Sequence, residues 1–219
     1  DLETKTMEDS TQPTWFFSGY DCDSLVLDGV SQFVRSFLPL FQNNNNAHLE
    51  LRTKSVNIKP LLENEPLDNV VTAFSFTPQE ISSQLEHGVP SVSSRIQAMK
   101  KLTDHGWQVG LRIDPLIDCE DFSTRYQNLF QDIFSQIPRE KIHSVSLGTF
   151  RMPTTFFKKM EKLYPQEKLF SGRLENRSGT IAYRQEIEQE RKETCLQLLL
   201  NHIAAQKIFN CEISTSPDT

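Results

Sequence analysis

Residues 91–117 read SVSSRIQAMKKLTDHGWQVGLRIDPLI, and this stretch holds two elements and the punctuation between them. Apolar residues at helical spacing run from 91 to 104, and His105 and Gly106 end that helix. The following WQVGLRIDP is a β-prone run, predicted as a strand closed by Pro115, which has no amide hydrogen with which to continue a ladder. A helix leading directly into an apolar strand is half of a crossover unit, and the remaining sequence repeats it.

Working outward, TWFFSG at 14–19 is a short aromatic run ending on glycine and reads as a buried strand. Apolar residues at 30, 33, 34, 37, 38 and 41 predict an amphipathic helix over 28–41, capped by Asp28 and interrupted late by Pro39. AHLELRTKS after the Asn43 to Asn46 loop, NVVTAFSF at 69–76 and KIHSVSLGTF at 141–150 are further strands. VNIKPLL and PQEISSQL are short helical stretches, the second opened by Pro78. Longer helices are predicted over 121–136, from Pro153 through TTFFKKMEKLY, and over about 184–206, with KIFNCEI as a closing strand. A Gly- and Ser-containing stretch separates the last two helices. About five alternations with crossovers too long for hairpins predict an α/β fold with a mostly parallel sheet, open or barrel-like. The residues to examine are then those at the carboxyl ends of the strands.

The 219 residues, 37% hydrophobic and 24% charged, describe one globular domain over 14–213, with a polar linker at 1–13 and a disordered tail at 214–219. No window approaches the roughly 18 apolar residues of a membrane span, so the expected location is the cytoplasm. A net charge of −6 argues against a generally basic nucleic-acid binder and leaves a local patch as the route to DNA. Cys22, Cys119, Cys195 and Cys211 form no CxxC or other ligand spacing, and the five histidines share none either, so no metal site is expected within the chain. No P-loop, GxGxxG, GxSxG or HExxH pattern occurs.

The segments GYDCDSLVLD, LELRTKSVNI, FSFTPQEI, the block from LEHGVPS to LRIDPLI, and SLGTFRMPTTFFKKMEKLYP follow one another in an order and spacing that resemble the spore photoproduct lyase family of radical-SAM enzymes. The resemblance implies a partial (βα) barrel that binds S-adenosylmethionine beside a 4Fe-4S cluster. It also implies reductive cleavage to a deoxyadenosyl radical that takes hydrogen from DNA or a nucleotide-like substrate. Three cysteines of a CxxxCxxC loop after the first barrel strand hold the cluster in such proteins. No such loop occurs here, and scattered thiols cannot replace it. The expectation is that the N-terminal portion bearing the loop lies upstream in a longer protein. An electron donor such as flavodoxin or ferredoxin is then implied as a partner.

The resemblance places Lys54 as a contact of S-adenosylmethionine, where an ammonium at a strand end suits a carboxylate or ribose oxygen, and Ser75 as a second contact. Read as residues alone, these are a solvated strand-end lysine and a serine satisfying its own backbone. Asp23 and Ser24 could line the same pocket or belong to an ordinary turn that caps the helix that follows. The family's hydrogen-donating cysteine aligns with Tyr20, where some relatives carry a glutamate. Cys22, two places on, is the candidate donor, with a small turn residue as the alternative. Arg151 could pin a phosphate or carboxylate, or form an ion pair closing the barrel. Arg173 and Arg177 are candidate substrate contacts where the family carries a basic aromatic hairpin, although KLFSGRLENRSGTIAYR reads more safely as a surface loop. The glutamate- and lysine-rich run after residue 184 reads as a solvated helix face. A second function fits the same residues: a non-catalytic barrel that binds a nucleotide, nucleic acid or protein partner.

Overall fold

The computed structural model describes residues 13–19 and 22–211, so Tyr20, the tail at 214–219 and all but the last residue of the expected linker lie outside the described residues. Five strands follow in sequence, β1 (Thr14–Ser18), β2 (Ala47–Thr53), β3 (Val70–Ser75), β4 (Gln108–Leu116) and β5 (Ile142–Thr149), each parallel to the one before. A sixth, β9 (Ile208–Asn210), adds in parallel beyond β5. All the carboxyl ends therefore lie along one edge of the sheet. The crossovers carry α1 (Phe33–Gln42), α2 (Gln79–Leu85), α3 (Val92–His105) and α4 (Phe122–Phe134), with a single helical turn at Lys59–Leu62 between β2 and β3.

The helices bury one face of the sheet. Leu49, Leu51, Phe74, Leu111, Val145 and Leu147 form one core with Leu38 of α1, Met99 and Leu102 of α3, and Phe130 and Ile133 of α4. The opposite face is polar and aromatic, and it is concave. The ring of Trp15 on β1 stacks on His48 of β2 at 4.8 Å and lies 5.4 Å from His143 of β5. A flat sheet would separate β1 from β5 by four strand spacings, roughly 19 Å. Only a sheet curled into a half-barrel brings these rings together, and they close its amino-terminal end. Above them, Arg112 of β4 donates Nε to Glu50 Oε1 of β2 at 2.9 Å and Nη2 to the other oxygen, a buried pair that spans the small residues of β3. Gly110 lies close beneath this pair, where a Cβ would stand 3.2 Å from both Ala73 Cβ and Arg112 Cζ, a tight fit.

Several expectations are corrected. The predicted helix at 28–41 breaks at Gln32, whose φ of 51° is left-handed, and the Asp28 carboxylate instead reaches forward to cap α1, accepting from Val34 N at 2.8 Å. β1 lies at the sheet edge with Phe17 55% exposed, so it is not a buried strand. Pro115 does not end β4. A bulge between Ile113 and Leu116 absorbs the residue that cannot donate, and pairing resumes with Thr149. The last helix, α6 (Gln185–Leu200), stops six residues short of the prediction because the chain must turn to bring Ile208 beside Val145.

The largest correction concerns residues 151–183. β6 (Arg151–Pro153), β7 (Leu174–Arg177) and β8 (Thr180–Tyr183) form a separate antiparallel sheet in the order β6, β8, β7, with α5 (Thr154–Leu163) between β6 and β7. What the sequence suggested as a surface loop is a hairpin. Its two-residue turn, Ser178 and Gly179, has φ values of 49° and 85°, the pair of positive angles that a tight hairpin turn needs. Tyr183, Phe157 and Ile187 pack this sheet and α6 around a second small core.

Candidate functional site

The carboxyl ends of β1, β2 and β3 are tied together by carboxylates. After β1 the chain turns at Gly19, whose φ of 84° and close approach to Arg52 O leave no room for a side chain. Asp23 then fixes the turn to the end of β2. Its Oδ1 accepts from Leu25 N, Val26 N and Thr53 Oγ1, and its Oδ2 from Lys54 N at 2.7 Å. Ser24 is buried and donates to Ser18 Oγ at 3.1 Å. Both residues thus make their hydrogen bonds within the turn, and Asp23 also orients the backbone of Lys54. Cys22 stands beside them with its side chain exposed.

Lys54 and Ser75 meet through two residues that sequence reasoning passed over. The Lys54 ammonium donates to Glu86 Oε1 at 2.6 Å, and the same carboxylate accepts from Thr77 Oγ1, Ser82 Oγ and Arg95 Nη2. Arg95 has a fully buried side chain and donates Nη1 to the Ser75 carbonyl at 2.8 Å. Burial works to raise the Glu86 pKa, yet the Lys54 ammonium, its hydrogen bond, that from Ser82 and the Arg95 charge bring it down to about 2. One ionised carboxylate therefore gathers two cations at the ends of β2 and β3, leaving a net charge of +1. No local motif announces this, because Glu86 lies 32 residues from Lys54 and nine from Arg95.

The arginines expected to meet substrate lie further along the same edge, each against a carboxylate. Arg151 makes a forked contact with Asp114, 3.1 Å to each oxygen. Asp114 in turn rests directly on Gly148, where a Cβ would lie 2.7 Å from its carboxyl carbon. Arg151 thus forms an ion pair between β4 and β6. Arg173 donates to Asp118 at 2.9 Å, and its side chain is 54% exposed. Arg177 meets Glu188 of α6, a carboxylate that burial would raise but that Lys192, Arg177 and Thr149 hold down at about 2. The run expected to be a solvated helix face thus anchors the hairpin to the barrel.

A half-open cleft of about 320 Å³ lies beside these strand ends, lined by Glu80 and Leu85 of α2, Ile117 to Glu120 after β4, Leu169 and Tyr183. Lys54 and Ser75 do not line it. Cys119 does, and burial pushes its thiol upward in pKa. Among the described residues no group of three or more His, Cys, Asp or Glu side chains is arranged to hold a metal ion. Nor is any helix of the described residues long and apolar enough to cross a membrane.

The family model described as spore photoproduct lyase matches residues 3–215. The chain is 23% identical over 161 residues to the spore photoproduct lyase of Bacillus subtilis (strain 168), covering 71% of this chain and 46% of that protein. It is 20% identical over 147 residues to that of Clostridium acetobutylicum, covering 67% and 44%. The chain thus spans about half the length of the curated relatives it matches. A solved spore photoproduct lyase variant with bound AdoMet and dinucleoside spore photoproduct superposes with a TM-score of 0.84 at 18% identity, over 95% of this chain and 63% of that one. A spore photoproduct lyase complexed with dinucleoside spore photoproduct gives 0.81. At that identity the likeness establishes the curled parallel sheet as a shared fold. Since the family match runs over nearly the full length, the chain belongs to the spore photoproduct lyase family.

Proposed function

We propose that the intact protein is a radical-SAM lyase acting on a lesion in DNA, and that this chain supplies the strand ends that receive S-adenosylmethionine. The observation that carries the reading is the joining of Lys54 and Ser75, at adjacent strand ends, into one network of net positive charge. Of the three N–H groups of the Lys54 ammonium, Glu86 takes one, and the side chain is 34% exposed. Among the described residues no other acceptor pairs with the ammonium, so the remaining N–H groups can meet oxygens of the ligand, and a positive charge suits the ligand's carboxylate. Bound and reduced, S-adenosylmethionine supplies a deoxyadenosyl radical.

The 4Fe-4S cluster does not fit the residues described. Cys22, Cys119, Cys195 and Cys211 are dispersed, and burial raises the thiols of Cys119 and Cys195 away from the thiolate form that iron requires. On this reading its ligands belong to a CxxxCxxC loop outside this chain, and the electron comes from a carrier such as flavodoxin or ferredoxin. Cys22, exposed at the end of β1, is assigned as hydrogen-atom donor to the substrate radical. Arg173, at the root of the hairpin, is assigned to a DNA phosphate, with Arg151 and Arg177 holding the hairpin side of the site in place. The relatives solved with dinucleoside spore photoproduct support a substrate of that kind.

Anaerobic iron and sulfide reconstitution of the intact protein, followed by chromatographic detection of 5′-deoxyadenosine, tests this. Product is expected, and Lys54→Ala should lower its rate at limiting S-adenosylmethionine by about 10- to 100-fold, the worth of a charge-assisted hydrogen bond. An intact protein that takes up no cluster and forms no product would move the protein to the non-catalytic reading.

A further inference from the structure

The Lys54 ammonium sits on a strand end, on a flexible four-carbon stem whose rotamer freedom must be lost before it can hold a ligand in one place. Something must restrain it. Among the described residues its partner is Glu86, whose own position is set from three sides. Thr77 Oγ1 donates to Oε1 at 2.8 Å, Ser82 Oγ donates to Oε2 at 2.6 Å, and Arg95 Nη2 donates to Oε2 at 3.0 Å. Arg95 is itself fixed, with Ser82 Oγ accepting from Nη2 at 2.7 Å, the Ser75 carbonyl accepting from Nη1, and the guanidinium carbon 5.6 Å from the Phe76 ring centroid. A fully buried guanidinium needs a carboxylate partner, so Arg95 and Glu86 specify one another.

The unit reaches both ligand candidates by different atoms. Glu86 holds the side chain of Lys54, and Arg95 holds the backbone of Ser75. Its members come from the β3–α2 turn, α2, the residue after α2, and α3, so the two helices that follow β3 act as the support for the edge of the sheet.

We propose that Glu86 is a positioning residue for the S-adenosylmethionine site, aiming the Lys54 ammonium at the ligand from a carboxylate anchored on buried Arg95. The inference rests on the reading of Lys54 as a ligand contact and extends it to a residue that touches no ligand. Glu86 supplies order to the Lys54 ammonium, so a substitution that keeps a counter-charge for Arg95, such as Glu86→Asp, acts on binding through Lys54.

The test is a double-mutant cycle on binding, measured by titration calorimetry of S-adenosylmethionine into the intact protein, with thermal unfolding recorded for each variant. Glu86→Gln is expected to raise Kd about tenfold, Lys54→Ala at least as much, and the two together no more than Lys54→Ala alone. Because Glu86→Gln leaves buried Arg95 without its counter-charge, Glu86→Asp is made alongside it. Aspartate keeps the charge and withdraws it by one methylene, so that a folded protein with weakened binding is expected. Unchanged Kd in Glu86→Asp and in any folded Glu86→Gln, with Lys54→Ala weakened, overturns the proposal and leaves the ligand reading standing. Equal weakening by the Glu86 substitution in the wild-type and Lys54→Ala backgrounds also overturns it, because Glu86 would then act on the fold in general. Wild-type affinity in Lys54→Ala removes the ligand reading itself, and the proposal with it.

Discussion

Single residues at the strand ends are constrained by one another's atoms more than by local propensity. Gly148 is the sharpest case. Its φ is ordinary, yet a Cβ would overlap the Asp114 carboxylate that meets Arg151. Gly148→Ala is expected to destabilise the protein by about 1–3 kcal/mol, as overpacking of a well-filled site does. Urea denaturation checks this, and an unchanged midpoint would show that Asp114 can move freely. That Lys54 and Ser75 stand at strand ends was legible from where the strand runs stop, whereas their role as ligand contacts is what the family resemblance implied. Glu86 and Arg95 were not legible, since their meaning lies in contacts across the fold. Asp23 illustrates the reverse: a turn residue read as a pocket candidate spends its carboxylate on four donors of the chain itself.

At the scale of elements, the apolar periodicities located the main helices and the five long strands, because each of these buries one face in a continuous core. The small sheet escaped notice for a physical reason. β7 and β8 have four residues each, are only half-buried, and are joined by two turn residues, so that composition there resembles a loop. The Ser-Gly pair between LENR and TIAY was the available signal. With φ at 85° and open space around it, Gly179 is held by backbone conformation alone. Gly179→Ala should therefore cost about 1–2 kcal/mol locally. Amide exchange across residues 174–183 should quicken while the six-stranded sheet stays protected. Uniform quickening through both sheets would mean that the hairpin is integral to the larger core.

For the whole molecule, acid is the informative variable. Glu86 and Glu188 both titrate near 2 in the fold, against an ordinary value of 4.5. Folded pKa values below the unfolded ones mean that the stability these carboxylates confer is complete above about pH 4.5 and is lost as the pH falls toward 2. The urea midpoint should decline between pH 4.5 and 3, less steeply in Glu188→Gln. A midpoint flat to pH 3 would show that neither network contributes to folding. The two carboxylates also divide the molecule by role, Glu86 joining β2 and β3 and Glu188 joining the end of β5 to the hairpin through Thr149 and Arg177.

The placement of the ligand at the ends of β2 and β3 is tested most directly by hydrogen–deuterium exchange mass spectrometry of the intact protein with and without S-adenosylmethionine. Slowed exchange in peptides covering 53–57 and 75–87 is the predicted result. Slowing confined to 117–120 and 167–172, around the neighbouring cleft, would contradict it and place the ligand against Cys119 instead.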